Sequence, residues 1–536
     1  MLSQNMLGAR IVQTINRLAA TFLAATMTVA APAVAQNLAL GYGATVTTLD
    51  PHYHNLGPNN AAGLHIFDAL IWRDARARPH PMLAETLVPV TDTMWEMKLR
   101  RGVTWHDGRP FTADDVVFTF ERVPNVQNSP GSFAGFLRSI ARLEVVDTHT
   151  IRIHTRQPHP NLPLDLAAVM IVARHAATGA GVEQFNAGTA AIGTGPYRLL
   201  SYRSGDRIEY ARNETYWGGA EPWQRVTLKF LLNDGARTAA LLAGDIDLIE
   251  QIPTTDLARL RRDTRLVVTE IPSLRTTYML PDYSRTGPHP TVTDNAGVPL
   301  PRNPFLDPRV RRALSMAVNR DALVERVMDG AAQATAQWVP EGVFGFNPAV
   351  RPLPFDPDGA KRLLAEAGYP DGFRIVLATP NDRWPNDSRL SQAVAQMWTR
   401  IGVRTSIDAM PFAAFVPRRT RQDFAMQLGA WGSSTGEASN YLLSVVATHD
   451  RARLTGAGNM SRHSDPRIDE FLVRSNATMD AEAREAILRD AVAYFADQIP
   501  MIHLVQYLNT WAHRRGLVHD PRMDERTIAT GVRPAR

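Results

Sequence analysis

Alternating apolar and polar residues predict most of the strands in the first half of the chain. Trp95, Met97 and Leu99 alternate with Glu96 and Lys98, which is the period-two pattern of a half-buried strand. Related patterns predict further strands at 38–40, 142–147, 150–155, 207–211 and 226–231. This part of the chain is therefore expected to be rich in strands, with a helix at 237–243.

Beyond Tyr278 the pattern changes to helices that alternate with short apolar strands. Asp307 followed by Pro308 predicts a helix start, because Asp is a good N-cap and Pro fits the first helical position. Asp356 and Pro357 repeat this signal. Short apolar strands are predicted at 373–379, 403–407 and 424–430. Three such strands separated by helices predict an α/β region with a largely parallel sheet.

The composition is that of an ordinary globular protein, with 44% hydrophobic and 21% charged residues in a chain of 536. This length supports two or more domains. The formal net charge is only +5 and no basic stripe is present, so nucleic acid is not expected as a partner. The absence of cysteine excludes disulfides, thiolate metal sites, cysteine nucleophiles and a lipidated cysteine.

Residues 1–35 have the pattern of a cleavable secretory signal. Arg10 and Arg17 form a basic start, 18–30 is a short apolar stretch, and 33–35 reads Ala-Val-Ala. A membrane anchor needs about 20 apolar residues, and this stretch is shorter. We therefore predict export to the periplasm, cleavage of the signal and no lipid anchor.

The most informative segment is 99–123, which reads LRRGVTWHDGRPFTADDVVFTFERV. His106-Asp107-Gly108 predicts a turn after a strand, and Thr112 with Asp115 predicts a capped helix start. The sequence of this segment resembles the signature of the extracellular solute-binding proteins of family 5, the peptide/nickel-type receptors of ABC importers.

Five further strings resemble landmarks of the same family and occur in the family's order. They are 193–199 (GTGPYRL), 213–219 (NETYWGG), 242–249 (LAGDIDLI), 303–323 (NPFLDPRVRRALSMAVNRDAL) and 355–372 (FDPDGAKRLLAEAGYPDG). Together they span nearly the whole mature chain. Most of these residues are expected to hold the fold rather than to contact a ligand.

The resemblance implies an α/β fold of the two-lobed periplasmic binding protein type, type II-like, with an extra subdomain on lobe I and a ligand cleft between the lobes. Lobe I would comprise 36–277 and 500–536, and lobe II 278–499. The chain would cross between the lobes near 271–278 and 499–507. The implied protein is a monomeric receptor without cofactor, which captures a short peptide or similar small solute by hinge closure and delivers it to the membrane permease.

Ligands of open α/β sheets gather beyond the carboxyl ends of the strands, and three loops qualify. The first carries Tyr53. The second carries Arg383, a candidate clamp for a carboxylate, and Trp384. The third is 431–437, which reads WGSSTGE.

In the third loop we expect Trp431 to form a stacking wall for the ligand. The resemblance implies that peptide receptors which bind the ligand's amino terminus carry an Asp three residues after this Trp, where this chain has Ser434. A hydroxyl does not replace a carboxylate as an ammonium anchor, because charged hydrogen bonds are roughly twice as strong as neutral ones. Glu437 either supplies the charge from a shifted place or only favours the first turn of the next helix.

Residues 432–436 also match the G-x-S-x-G pattern of a nucleophile elbow. A serine hydrolase would use Ser434 as nucleophile, with an acid and a base chosen from Asp469, Asp490, His503 and His513. No HGGG-type oxyanion segment accompanies the pattern, so no enzyme is expected.

His52 and His54 share one face of an extended chain and form at most half of a metal site. Without nearby acids they are not expected to bind metal. A nickel chelate and an opine- or sugar-like solute remain open as alternative ligands for the same fold.

Overall fold

The computed structural model describes residues 37–535, so the predicted signal segment lies outside the described residues. Its strands are β1 (Asn37–Tyr42), β2 (Ile71–Arg73), β3 (Pro79–Pro81), β4 (Ala84–Thr91), β5 (Met94–Leu99), β6 (Ile140–Asp147), β7 (Thr150–Thr155), β8 (Tyr197–Arg203), β9 (Arg207–Arg212), β10 (Arg225–Phe230), β11 (Leu248–Glu250), β12 (Leu266–Pro281), β13 (Val292–Thr293), β14 (Ala332–Ala334), β15 (Phe373–Pro380), β16 (Val403–Met410), β17 (Met426–Gly432), β18 (Ile502–Arg514), β19 (Leu517–His519) and β20 (Val532–Pro534).

The α-helices are α1 (Gly57–Gly63), α2 (Ala113–Arg122), α3 (Ala134–Leu137), α4 (Leu162–Leu166), α5 (Arg174–Ala177), α6 (Val182–Asn186), α7 (Asp234–Ala243), α8 (Thr254–Arg262), α9 (Pro308–Met316), α10 (Arg320–Ala322), α11 (Pro357–Glu366), α12 (Asp387–Arg400), α13 (Phe412–Thr420), α14 (Ala438–Tyr441), α15 (Pro466–Ala477) and α16 (Ala481–Gln498). Across residues 37–535, none of these helices combines the length and the apolar character needed to cross a membrane.

One sheet of twelve strands runs through the molecule in the order β13-β15-β17-β12-β18-β11-β1-β10-β9-β8, with β16 on β15 and β14 on β18. Its two central strands, β12 and β18, are its longest, with 16 and 13 residues. Because these strands pair with each other and with strands on both sides, they join the two halves of the sheet.

The ladder between β12 and β18 is interrupted in the middle. The stretch from Leu266 to Pro272 pairs with Leu508–Arg514, but the register shifts before pairing resumes at Thr276 with Gln506. Pro272 has no amide hydrogen to donate, and an irregularity of this kind bends and twists a strand. The sheet is therefore least regular where its two halves meet.

In the first half, the predicted pairing of 142–147 with 150–155 is confirmed, since β6 and β7 are antiparallel. These strands belong to a separate sheet with the order β4-β5-β7-β6. Trp95, Met97 and Leu99 are buried on its inner face, as their alternation predicts. In the second half, β15 is parallel to both β16 and β17, as predicted for these three strands. The sheet as a whole is mixed, because β13 and β12 pair antiparallel with β15 and β17.

The family landmarks interlock around a buried carboxylate, that of Asp68. It accepts hydrogen bonds from Thr194 Oγ1 at 3.0 Å, Trp217 Nε1 at 2.8 Å and Tyr216 at 3.4 Å. Burial raises the pKa of Asp68 to about 6, and these three hydrogen bonds oppose the rise. His106 likewise binds the GTGPY segment, with Nε2 lying 3.0 Å from the Gly195 carbonyl oxygen. These motifs therefore hold the fold together.

We expect Trp217→Phe to lower the free energy of unfolding by about 1.5–3 kcal/mol, because it removes a hydrogen bond to a buried charged group. Urea unfolding at neutral pH measures the loss. Trp95→Phe is the matched control, since Trp95 Nε1 is buried without a partner and the change removes ring volume alone. Equal losses in the two variants would show that ring size, not the Asp68 hydrogen bond, accounts for the effect.

Candidate functional site

The loop after β17 is organised by one amide side chain, that of Asn440. Its Oδ1 accepts a hydrogen bond from Trp431 Nε1 at 3.0 Å and another from the Ser434 amide at 3.3 Å. Its Nδ2 donates to Ser434 Oγ at 3.0 Å. Trp431 is half-buried and Ser434 is exposed. The structure thus brings these two predicted ligand residues together.

The turn that follows is closed by the buried hydroxyl of Ser433. Its Oγ donates to the Glu437 carbonyl at 2.8 Å and accepts from the amides of Gly436 and Glu437, both at 3.1 Å. Gly436 has φ +80°, a conformation that glycine adopts without strain. The turn is therefore held by its own hydrogen bonds.

Glu437 forms a buried ion pair with Arg484 of α16. Their side chains are 5% and 6% exposed, respectively. Ser439 also donates to this carboxylate, and Asn161 accepts from the same guanidinium. The negative charge of Glu437 is therefore balanced within the protein. Its role toward a ligand stays a prediction, and a ligand ammonium would have to compete with Arg484.

Residues close to the β4-β5-β7-β6 sheet contact this same loop. The Arg73 guanidinium donates to the Ser434 carbonyl, and Asn161 Nδ2 donates to Ser439 Oγ at 3.2 Å. Ala77 lies so close to Gly436 that a side chain at position 436 would clash with it. Together these contacts form a seam between two parts of the chain that are distant in sequence.

The two predicted residues of the loop after β15 have different environments. Arg383 is exposed, and its guanidinium lies 5.2 Å from the centroid of the Phe412 ring. Trp384 is buried in the core and meets Phe412 edge to face at 5.9 Å. The backbone amides of both residues donate to Asp387 Oδ2 at 3.1 Å. Only Arg383 presents its functional group outward.

An ion pair between Arg275 and Glu525 lies where the β12–β18 ladder is interrupted. Arg275 Nε and Glu525 Oε1 are 3.0 Å apart, and Ser273 Oγ donates to the same oxygen at 3.0 Å. Attraction to Glu525 raises the pKa of Arg275. Burial alone would raise the pKa of Glu525, but the charge of Arg275 and these hydrogen bonds outweigh burial and lower it.

Arg275 lies between the two predicted ligand loops. A Cβ placed on Gly432 would be 3.2 Å from its guanidinium, which puts it beside the loop after β17. Although Arg383 is exposed, partial desolvation and then the like charge of Arg275 lower its pKa, while Glu525 and Asp382 oppose this. Arg275 and Glu525 were not among the residues predicted from the sequence. The only signal was that Arg275 falls in the predicted crossing 271–278.

The first predicted ligand loop, which follows β1 and carries Tyr53, packs against a different part of the molecule. His52 is buried, with Nε2 2.7 Å from the Met170 carbonyl oxygen and Nδ1 2.8 Å from Arg122. Burial, followed by the charge of Arg122, lowers the pKa of His52 to about 4. Tyr53 is half-buried, and its carbonyl accepts from Ser129 Oγ at 2.6 Å. A ligand role for Tyr53 stays a prediction.

The environment of His54 does not form a metal site. Its Nδ1 lies 3.4 Å from Thr47 Oγ1. In the part of the chain that the structure describes, 37–535, no group of three His, Cys, Asp or Glu side chains is placed to hold a metal ion.

The geometry gives no support to the nucleophile-elbow interpretation of 432–436. The Ser434 hydroxyl is bound to an amide, not to an imidazole. His503 is buried among aromatic rings, 6.0 Å from Tyr278 and 6.2 Å from Phe495. Asp469 accepts the Thr448 amide at 2.9 Å. These groups are therefore occupied in packing and turn formation.

Comparison with known families identifies the chain. The family model described as bacterial extracellular solute-binding proteins, family 5 Middle, matches residues 78–452. The chain belongs to this family. The family and the relatives found are binding proteins, not enzymes, and family 5 proteins are periplasmic.

Curated relatives of this family 5 protein align along most of its length. It is 28% identical over 525 residues to the di/tripeptide-binding protein 2 of Pseudomonas aeruginosa (strain UCBPP-PA14), covering 92% of this chain and 94% of the relative. It is 26% identical over 493 residues to heme-binding protein A of Haemophilus influenzae (strain ATCC 51907 / DSM 11121 / KW20 / Rd), covering 86% of each.

Among solved structures, HbpA2 from Haemophilus parasuis matches the family 5 protein with a TM-score of 0.79 at 24% identity, covering 93% of this chain and all of that chain. The expected two-lobed periplasmic binding protein fold is thereby confirmed.

We expect Glu437→Gln to destabilise the protein by about 3–5 kcal/mol, because removing one partner of a buried ion pair leaves the charge of Arg484 uncompensated. Urea unfolding measures the loss. The control is Asp358→Asn on α11, whose pair with Lys361 is solvent-exposed and should be worth less than about 1 kcal/mol. Similar losses in the two variants would contradict the buried pair.

Proposed function

We propose that this protein is the periplasmic receptor of an ABC importer and that it captures a short peptide, or a small solute of similar kind, and delivers it to the membrane permease. The two curated relatives above are named for different ligands, heme and di- or tripeptides. The ligand of this chain must therefore be argued from its own site.

The observation that carries the proposal is the position of Arg383. Its guanidinium has no ion-pair partner among residues 37–535, and it lies within electrostatic reach of the Arg275–Glu525 pair. A guanidinium presents donors in a planar fork that matches a carboxylate. Arg383 therefore supports the binding of a solute through its carboxylate at the junction of the lobes.

We assign 36–277 and 500–536 to lobe I and 278–499 to lobe II, because β12 and β18 carry the chain across. In this assignment the seam made by Arg73, Ala77 and Asn161 against 434–439 connects the lobes. A solute that touches both lobes makes more contacts when they are together, so it shifts the population toward the closed form. Its effect is limited by the difference between its affinities for the two forms.

We also propose how the receptor is exported and how it works with the permease. Residues 1–35 direct export and are cleaved, and the chain has no cysteine to lipidate. The receptor acts as a monomer, uses no cofactor and catalyses no reaction. The permease recognises its closed form.

Arg383→Met should weaken binding of the transported solute by about 10- to 150-fold, because a hydrogen bond to a charged group contributes about 1.5–3 kcal/mol. The solute is first identified by native mass spectrometry of protein purified from its own periplasm, and affinity is then measured by titration calorimetry.

Arg389→Met is the control, since Arg389 is exposed on α12 and faces Asp329. Unchanged affinity in the Arg383 variant would remove the carboxylate clamp from the proposal.

A further inference from the structure

The acidic side chains nearest the cleft loops are already paired with arginines. These ion pairs are Glu437 with Arg484, Glu525 with Arg275 and Asp524 with Arg522. Asp382 is adjacent to Arg383 in the sequence, but its Oδ1 accepts the Phe412 amide at 2.8 Å, where α13 begins. The loops therefore offer little unused negative charge to a ligand.

Two arginines beside the same loops are not paired. Arg419 lies on α13, with its guanidinium 5.7 Å from the Phe415 ring centroid. Its Nε is shielded from solvent and has no hydrogen-bond partner. Arg383 stacks on Phe412 of the same helix, and neither arginine forms an ion pair within residues 37–535. A buried donor without a partner is unfavourable, so the Arg419 Nε favours an acceptor brought to it.

Arg275 lies beside the end of β17, since a Cβ on Gly432 would be 3.2 Å from its guanidinium. Its positive charge contributes to lowering the pKa of Arg383. Burial raises the pKa of Tyr278, and the positive charges of Arg419 and Arg275 oppose the rise. Phe412 and Phe415 of α13 stack with their centroids 6.3 Å apart, so both unpaired guanidiniums stack against this one helix.

At the opposite end of the cleft loops, the Arg73 guanidinium already donates to the Ser434 carbonyl. Ser434 shares its amide and hydroxyl with Asn440 in a closed set of hydrogen bonds. It therefore offers no charge to an ammonium group. The unused charge of the site is positive and lies toward α13.

We infer that the cleft selects a solute with two carboxylate groups and no free ammonium group, one carboxylate binding Arg383 and the other completing the hydrogen bonding of Arg419. This inference rests on the proposed function and narrows its ligand class. It makes Arg419 a specificity-determining residue, because a solute with a single carboxylate would leave it unpaired.

Titration calorimetry on the mature protein tests the inference with three probes: N-acetyl-alanyl-glutamate, N-acetyl-alanyl-alanine and alanyl-alanine. The doubly acidic, N-blocked probe is expected to bind at least tenfold more tightly than the other two. Arg419→Met should weaken the binding of N-acetyl-alanyl-glutamate at least tenfold and leave the affinity for N-acetyl-alanyl-alanine unchanged. Arg421→Met is the matched control, because Arg421 is exposed and pairs with Asp423 at 2.7 Å.

A second measurement covers the case in which Arg419→Met fails to fold. The solute that co-purifies from the periplasm is esterified, and its gain in mass counts its carboxyl groups. Two carboxyl groups and no acylatable amine are expected.

Equal or tighter binding of alanyl-alanine, or a co-purified solute with one carboxyl group or a free amine, would overturn the inference and leave the proposed function standing. If no solute co-purifies and no probe binds, the proposed function itself fails.

Discussion

The interrupted ladder between β12 and β18 is the constraint on which the rest of the structure depends. Two strands carry the backbone between the halves of one sheet, so any relative movement of the halves must be absorbed where their register shifts, between Pro272 and Tyr278. A regular ladder resists such a change because its hydrogen bonds would have to break together. The irregular segment also carries Arg275, which places a charged group of the site at the connection itself.

The buried ion pair beside the seam does not itself join the two proposed lobes. Glu437 and Arg484 both lie among the elements that pack around α14 and α16, and their ion pair crosses no boundary between the proposed lobes. Hydrogen bonds from Arg73 and Asn161 cross the seam, and so does the one that the Arg484 guanidinium donates to Asn161. When the seam opens, water replaces these hydrogen-bond partners. The expensive interaction therefore stays intact in both forms.

Periodicity and local signals predicted the parts of the fold that depend on neighbours in sequence. The strand with Trp95, the β6–β7 pair and the three parallel strands are of this kind. The chemistry of the site depends on contacts that no local pattern encodes: Arg275 meets Glu525 across 250 positions, and Glu437 meets Arg484 across 47. Nor does any local pattern show that His52 is buried against Met170 and Arg122.

Family membership determines the fold of this protein but not which charges line its cleft. The scaffold is held by buried groups such as Asp68, which bind one landmark to another and are remote from the loops. The loops are shaped by neutral hydrogen bonds to Asn440 and by ion pairs that close on themselves. What remains unused is donor capacity on arginines that stack against α13. Because stacking on an aromatic ring holds a guanidinium without satisfying its hydrogens, these arginines keep their position while their donors stay available to an acid group brought by the solute.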